Sequence, residues 1–192
     1  MEDFKTIQIL IKKTKEPIIK ELLAKLKDYD EYTYLHSISV AKLCVNMSLR
    51  QKFTKEEVDI MATSALLHDI GKIFVPKSIL NKVTHLTDDE FVAIRKHPTT
   101  GAKYLDSIGL FEPIVIETIC QHHENFDGSG YPKHLKGDEV NKYAKILRVM
   151  DSYDAMISNR PYHHSRNSKE VITILVSSAG KEYDGDVVNQ LL

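Results

Sequence analysis

The sequence has few residues that break helices, few cysteines and no tryptophan. It contains eight glycines, six prolines and two cysteines, Cys44 and Cys120, in 192 residues. Low-complexity segments are absent, and so little glycine and proline favours a mostly helical globular fold. Because two isolated thiols do not make a disulfide framework, we expect both to be reduced in a cytoplasmic protein.

Long apolar runs and an excess of one charge are also missing. No stretch approaches the roughly 18–20 apolar residues that span a bilayer, and charges interrupt the N-terminal apolar positions, unlike a signal peptide. The 26 lysines and arginines balance 27 acidic residues, which argues against a broad cationic surface for duplex nucleic acid. A small anionic ligand, which needs only a few cations, is not excluded.

Helical periodicity runs along most of the chain, whereas alternating strand patterns are rare. Apolar residues recur at helical spacing in residues 4–11 and 18–26, and Pro17 suits the first turn of the second helix. We therefore predict an all-α protein, with residues 1–30 as a helical extension and residues 31–192 as the main domain. The extension would pack on the domain, on a second copy of the chain or on a signalling partner.

Several residues mark the predicted helix ends. Thr54 and Thr87 each precede a glutamate by three residues, which is the spacing of a capping box. Gly71 is expected to end one helix in the left-handed conformation. Residues 124–139 are rich in glycine, proline and aspartate, which predicts a surface loop, and Asp184 is expected to cap the last helix.

Histidines and acids concentrate at these predicted ends, in the pairs His68-Asp69 and His122-His123. Adjacent side chains inside a regular helix point about 100° apart, so such a pair can serve one site only where the helix ends. A carboxylate can bridge two ions, which suits Asp69. Imidazole and carboxylate donors without cysteine suit Fe, Mn or Zn better than Ca. Single histidines are more often packed or exposed than bound to a metal. We therefore expect no metal-binding role for His85, His134, His163 and His164.

Short motifs follow one another in a specific order over residues 32–162. They include Leu-Leu-His-Asp-Ile-Gly-Lys-Ile (66–73), Lys-His-Pro-Thr-Thr-Gly (96–101), His-His-Glu-Asn-Phe-Asp-Gly-Ser-Gly-Tyr-Pro (122–132), Asp-Ser-Tyr-Asp-Ala-Met (151–156) and Arg-Pro-Tyr (160–162). In these motifs the chain resembles the HD-GYP family of HD-domain phosphohydrolases.

The resemblance implies an all-helical HD-domain bundle and a bacterial signalling enzyme, a cyclic di-GMP phosphodiesterase. Its product would be the linear dinucleotide, GMP or both. The resemblance places Gly130, Tyr131 and Pro132 beside the substrate. It implies metal ligands at His36, His68, Asp69, His97, His122, His123 and Asp151.

The chain departs from the family pattern at several positions, none of which removes a ligand. Asn125 replaces the common arginine after His-His-Glu, and residues 83–85 replace the usual Pro-Gly-Lys. Lys145 stands where arginine is frequent, and Arg148 stands at a usually small position. His163 follows Arg-Pro-Tyr where arginine or lysine is typical.

Phosphodiester hydrolysis needs a nucleophile, charge neutralisation and a stabilised leaving oxygen, which two nearby metal ions can provide. We expect Asp69 to bridge the ions and Lys72, three residues later, to offset charge on the phosphate. Arg160 is a candidate second phosphate clamp. Tyr131 offers an aromatic face to a base, and Gly130 permits close backbone approach.

The expected cofactor is a pair of divalent transition-metal ions, with iron or manganese preferred and zinc or nickel as alternatives. Some family members carry an acidic residue one helical turn before the first ligand histidine, where it supports a third metal. Here that position, four residues before His36, holds Tyr32, whose phenol is a weak ligand.

Two other functions remain open at this point. The chain could be an HD hydrolase acting on another cyclic dinucleotide or nucleotide. It could also be a binding or scaffold module without activity, although a degenerate module would be expected to lose some of the ligands.

Overall fold

A computed structural model describes residues 15–158 and 166–192 of the chain, and the regular elements in these ranges are helices. The helices are α1 (Glu16–Tyr29), α2 (Glu31–Arg50), α3 (Lys55–Leu67), α4 (Lys77–Leu80), α5 (Asp88–Arg95), α6 (His97–Ile108), α7 (Pro113–Gln121), α8 (Lys142–Ile157), α9 (Ser168–Ser177) and α10 (Gly185–Asn189), with short 3₁₀ helices at Ile70–Phe74 and Gly137–Glu139. The all-α prediction is confirmed. Among the described helices, none is both long and apolar enough to cross a membrane. The helix predicted over residues 4–11 lies outside the described residues, as does Arg160.

The predicted helix starts are confirmed by their hydrogen bonds. The hydroxyl group of Thr54 accepts the backbone N–H of Glu57, whose carboxylate accepts the N–H of Thr54 in return. Thr87 and Glu90 form the same reciprocal pair at the start of α5. Pro17 lies in the first turn of α1. Each capping box satisfies two backbone donors that the helix itself leaves unpaired.

The prediction for Gly71 is wrong. The α-helix ends at Leu67, and Gly71 lies within the 3₁₀ helix Ile70–Phe74, without the left-handed conformation expected of a helix stop. Its lack of a side chain serves packing instead. A Cβ atom at Gly71 would overlap the carbonyl group of His97 and the backbone of Gly101. Glycine here allows the start of α6 to lie directly against the 3₁₀ helix.

The chain divides into two compact units, of which the first ends at Cys120. In the described part of this unit, α2 packs against α3, α1 packs against both, and α6 packs against the 3₁₀ helix. Fully buried side chains fill the centre, among them Ile19, Leu26, Met61, Leu66 and Leu105. Burial of each such side chain contributes about 1.5–3 kcal/mol, so the helices that carry the site residues are firmly held.

The second unit comprises Gln121–Leu192. Its described helices α8, α9 and α10 pack together over Ile146, Leu147, Leu175 and Val188, all of which are buried. Between the start of the unit and α8 lies the predicted loop, which contains one short 3₁₀ turn. Asn141 caps α8, because its side-chain oxygen accepts a hydrogen bond from the backbone N–H of Ala144.

Candidate metal centre

A buried carboxylate faces three imidazoles in the first unit. His68 caps the end of α3, and Asp69 follows it before the 3₁₀ helix, so both side chains turn toward one point as predicted for a helix end. The Oδ2 atom of Asp69 lies 3.4 Å from Nε2 of His68 and 3.9 Å from Nε2 of His36 on α2. Its Oδ1 atom lies 3.2 Å from Nε2 of His97, the first residue of α6. All four residues are buried.

The other ring nitrogens of two of these histidines are bound to backbone carbonyl groups. Nδ1 of His68 lies 2.7 Å from the carbonyl oxygen of Ala65, and Nδ1 of His97 lies 2.8 Å from that of Ile94. Because a carbonyl oxygen can only accept, Nδ1 carries the proton in both rings, and the neutral ring has its lone pair on Nε2. Those lone pairs point at Asp69, itself an acceptor, so the arrangement needs positive charge between the groups.

A divalent cation would supply that charge. One ligand atom each from His36, His68 and Asp69 lies within 4.8 Å of the others, close enough to hold one ion. Imidazole nitrogen and carboxylate oxygen suit iron, manganese or zinc, and carbonyl groups bound to Nδ1 are the usual support for metal-binding histidines. The donor set of the first unit therefore fits a transition metal.

Lys72 is an ion-pair partner of the same carboxylate. Its Nζ atom lies 2.6 Å from Oδ2 of Asp69, and 21% of its side chain is exposed. Burial by itself would raise the pKa of Asp69, but the positive charge of Lys72 beside it holds that pKa well below its ordinary value. Asp69 is therefore ionised near neutral pH and available as a ligand.

Tyr32 lies where the helical spacing places it, one turn before His36 on α2. The phenol and imidazole rings are nearly parallel, at an interplanar angle of 5°, with their centroids 6.4 Å apart. A phenol ring therefore lies beside His36 at the position where an acidic side chain would offer a carboxylate.

The second unit brings His122, His123 and Tyr131 together. His122 is fully buried, and its ring centroid is 4.2 Å from that of His123. Tyr131 stacks on the other histidine of the pair at 4.9 Å and 23°, and its backbone N–H donates to the carbonyl group of His123. Asp151 is buried on α8.

Glu124 organises the loop that carries Tyr131, a role that the sequence did not predict. Its carboxylate, only 2% exposed, accepts the backbone N–H groups of Lys133 at 2.6 Å and Leu135 at 3.1 Å. Gly130 lies so close to the backbone of residues 123–125 that a Cβ atom there would overlap it. The predicted close approach at Gly130 is therefore to the protein's own backbone. In the sequence, only the position of Glu124 directly after His122-His123 could have indicated this role.

The chain is similar to proteins of known activity. A family model described as HD domain matches residues 9–187. The chain is 40% identical over 150 residues to the cyclic di-GMP phosphodiesterase PA4108 of Pseudomonas aeruginosa, covering 78% of this chain and 36% of that protein. It is 32% identical over 158 residues to the 3′3′-cGAMP-specific phosphodiesterase 1 of Vibrio cholerae, covering 82% of this chain and 36% of that protein.

A solved structure shares the same fold. Bd1817, an HDG"Y"P protein from Bdellovibrio bacteriovorus, superposes with a TM-score of 0.67 at 22% identity, over 81% of this chain and 50% of that chain. This likeness supports the all-helical HD-domain bundle. The chain spans about a third of the length of the two curated relatives.

Proposed function

The chain belongs to the HD-domain family and, within it, to the HD-GYP group, and from this premise we propose that it is a metal-dependent phosphodiesterase that hydrolyses cyclic di-GMP. One observation carries the proposal: the buried, ionised carboxylate of Asp69 faces the Nε2 atoms of His36, His68 and His97. A donor set of this kind binds divalent metals that promote phosphodiester hydrolysis.

The proposed cofactor is a pair of divalent ions, with iron or manganese preferred and zinc or nickel as alternatives. Asp69 has two carboxylate oxygens turned toward different histidines, which suits a bridging role. For three of the ligands the proposal rests on the sequence resemblance. The full proposed set is His36, His68, Asp69, His97, His122, His123 and Asp151.

Hydrolysis joins a water oxygen to phosphorus, breaks one P–O ester bond and delivers a proton to the departing oxygen. Bound metal ions would activate the water and neutralise charge on the phosphate. Lys72, whose ammonium group already lies against Asp69, would offset the negative charge that grows on the phosphate. The Nδ1 hydrogen bonds of His68 and His97 keep their Nε2 lone pairs aimed at the reacting region.

We assign substrate contacts to the loop residues Gly130, Tyr131 and Pro132 and to Arg160. One face of the Tyr131 ring lies on His123, so a guanine base would stack on the opposite face. Arg160, which lies outside the described residues, would bind a phosphate through its guanidinium group.

The presence of Tyr32 in place of an acidic residue favours a centre of two metal ions over one of three. A phenol that stays protonated near neutral pH is a poor ligand, and the Tyr32 ring lies parallel to that of His36 with the centroids 6.4 Å apart. With the smaller cluster of charge, we propose that the linear dinucleotide accumulates before it is converted to GMP.

The relative from Vibrio cholerae gives one alternative substrate, because it is described as specific for 3′3′-cGAMP. The segment Gly130-Tyr131-Pro132 favours cyclic di-GMP, because it is part of the motif in which the chain resembles the HD-GYP family. A scaffold role without activity is disfavoured, since the first unit keeps a complete donor set around Asp69.

The proposal is tested by loading the protein with manganese or ferrous iron and supplying cyclic di-GMP, 3′3′-cGAMP and cyclic di-AMP separately. Products are then resolved by chromatography over time. We expect cyclic di-GMP to be cleaved fastest, with a linear intermediate. Faster cleavage of another dinucleotide would refute cyclic di-GMP as the preferred substrate. The absence of any cleavage by fully metal-loaded protein would refute the proposed phosphodiesterase activity.

Residues 1–30 are proposed as a packing or dimerisation segment without a chemical role. The described part of it supports packing, because α1 buries Ile19, Leu22, Leu23 and Leu26 within the first unit. A second copy of the chain as partner remains part of the proposal, to be tested by measuring the molar mass in solution.

A further inference from the structure

The guanidinium group of Arg148 on α8 binds several parts of the second unit at once. Asn125 accepts hydrogen bonds from it through one oxygen, Oδ1, which lies 3.1 Å from Nε and 2.9 Å from Nη2. Ser152 accepts from Nη1 at 2.7 Å, and a carboxylate oxygen of Glu182 lies 3.4 Å from Nη2. The guanidinium carbon also lies 5.1 Å from the centroid of the Tyr183 ring.

These contacts join the two segments that carry proposed ligands in this unit. Asn125 follows His123 by two residues on the loop, whereas Arg148 precedes Asp151 by three residues on α8. Ser152 is the neighbour of that aspartate. The Arg148 side chain, 17% exposed, thus binds the loop to the helix at residues close in sequence to the proposed ligands of both segments.

Asn125 is shaped for this contact at both ends of its amide. Its oxygen takes the two N–H groups of Arg148, while its nitrogen donates to the hydroxyl group of Ser129 at 2.9 Å. The amide orientation is therefore set by both partners. A planar guanidinium can aim two N–H groups at one oxygen and a third at Ser152, which a lysine ammonium cannot reproduce.

The hydrogen bonds between Arg148 and Asn125 therefore link the loop to α8. We propose that Arg148, through its hydrogen bonds to Asn125, is a positioning residue that holds His122, His123 and Asp151 in metal-binding geometry. The inference rests on the proposed function, because it takes those three residues as metal ligands.

Other contacts near Arg148 also hold the loop and α8 in place. Lys145, one turn earlier on the same side of α8, pairs with Asp138 at 2.9 Å and with Asp184 at 3.3 Å. The loop backbone is also held to the C-terminal turn, because the N–H groups of Phe126 and Asp127 donate to carbonyl groups of residues 182 and 181. Arg148 therefore completes a framework that is otherwise in place, and its loss should shift the ligands without unfolding the unit.

The test is a double-exchange series on the full chain, prepared metal-free. Wild type, Arg148→Ala, Arg148→Lys, Asn125→Arg and the double variant Asn125→Arg/Arg148→Ala are titrated with Mn²⁺, and free Mn²⁺ is followed by electron paramagnetic resonance. Lys142→Ala removes a positive charge from the exposed side of the same helix and serves as the control. Thermal unfolding of each metal-free variant reports whether it is folded.

We expect each single change at Arg148 or Asn125 to weaken Mn²⁺ binding by about tenfold or more, as supporting residues of metal sites do. Asn125→Arg would place two guanidinium groups together, so it should fail as well. The double variant should recover to within about threefold of wild type, and Lys142→Ala should bind normally. A purely structural role would instead lower the unfolding temperature of the double variant further and leave its metal affinity low.

The outcomes separate the inference from the function on which it rests. Equal Mn²⁺ affinity in all variants, or a double variant as weak as the product of the single effects, would overturn the inference alone. Wild-type protein that binds no Mn²⁺ would overturn the proposed function and the inference together. If Arg148→Ala does not fold, Arg148→Lys and Asn125→Arg still decide the result.

Discussion

At the residue scale, the site begins with one carboxylate. Asp69 meets three imidazoles and an ammonium group, and the pairing of His68 with Asp69 at a helix end was readable from sequence. The carbonyl groups that fix the Nδ1 protons of His68 and His97 were not, because a backbone acceptor carries no residue signature. Lys72 was predicted to face the phosphate, and the structure adds that it pairs with Asp69.

Replacement of this lysine tests its role in catalysis. Lys72→Met removes the charge while keeping the length of the side chain, so metal binding should persist and kcat should fall by about 100-fold, in the range seen for lost transition-state contacts. Steady-state kinetics with metal content measured on the same sample gives the answer. Lys103→Met, on the exposed side of α6, is the matched control. If the two variants had the same kcat, Lys72 would be a surface lysine without a catalytic role.

Tyr32 decides the number of metals in this account. Tyr32→Glu places a carboxylate one turn before His36, so the variant should bind about one more equivalent of metal than wild type. Elemental analysis after loading and desalting measures the ratio, and Tyr32→Phe should leave it unchanged. Three equivalents already present in wild type would show the two-metal prediction to be wrong.

At the element scale, helix starts were readable from local signals and the packing of helix ends was not. Thr54 and Thr87 form the predicted capping boxes because such boxes involve residues three apart in the chain. Gly71 was misread as a helix stop, since its role depends on contact with His97, distant in sequence. The hydrogen bonds from the loop to Glu124 were not predicted because their donors are backbone N–H groups, which carry no residue signature.

The close contact at Gly71 predicts a strong effect of one methyl group. Gly71→Ala would force the 3₁₀ helix away from the start of α6, costing about 1–3 kcal/mol or more of unfolding free energy and displacing His97. Urea unfolding and metal titration should both show the loss. Gly185→Ala, where a Cβ atom would meet nothing within 4 Å, is the control, and equal behaviour of the two variants would refute the packing role.

Helix α1 provides a second test at this scale. Leu26 is fully buried, so Leu26→Ala should lower the unfolding free energy by about 2–5 kcal/mol and leave the metal affinity of the folded protein unchanged. Denaturant titration and Mn²⁺ binding at low temperature measure the two quantities. A loss of less than about 0.5 kcal/mol would mean that α1 is a detachable extension.

At the scale of the whole molecule, the chain consists of two compact units, and proposed ligands occur in both. The order of motifs along the sequence predicted the family and the all-α fold, since both depend on many residues at once. It did not predict that the described loop of the second unit is held by Glu124 and Arg148, because Glu124 binds backbone N–H groups and Arg148 binds a side chain 23 residues away. The fold was therefore more predictable than the support of its site.

The most direct test of the central claim is hydrolysis of cyclic di-GMP as metal is returned stepwise to stripped protein. We predict no activity without metal, a rise that saturates near two equivalents of manganese or ferrous iron, and none at any loading for Asp69→Asn. Asp106→Asn, an exposed carboxylate on α6, should follow wild type. Hydrolysis that persists in the metal-free protein, or an inactive protein that has bound its full complement of metal, would contradict the account.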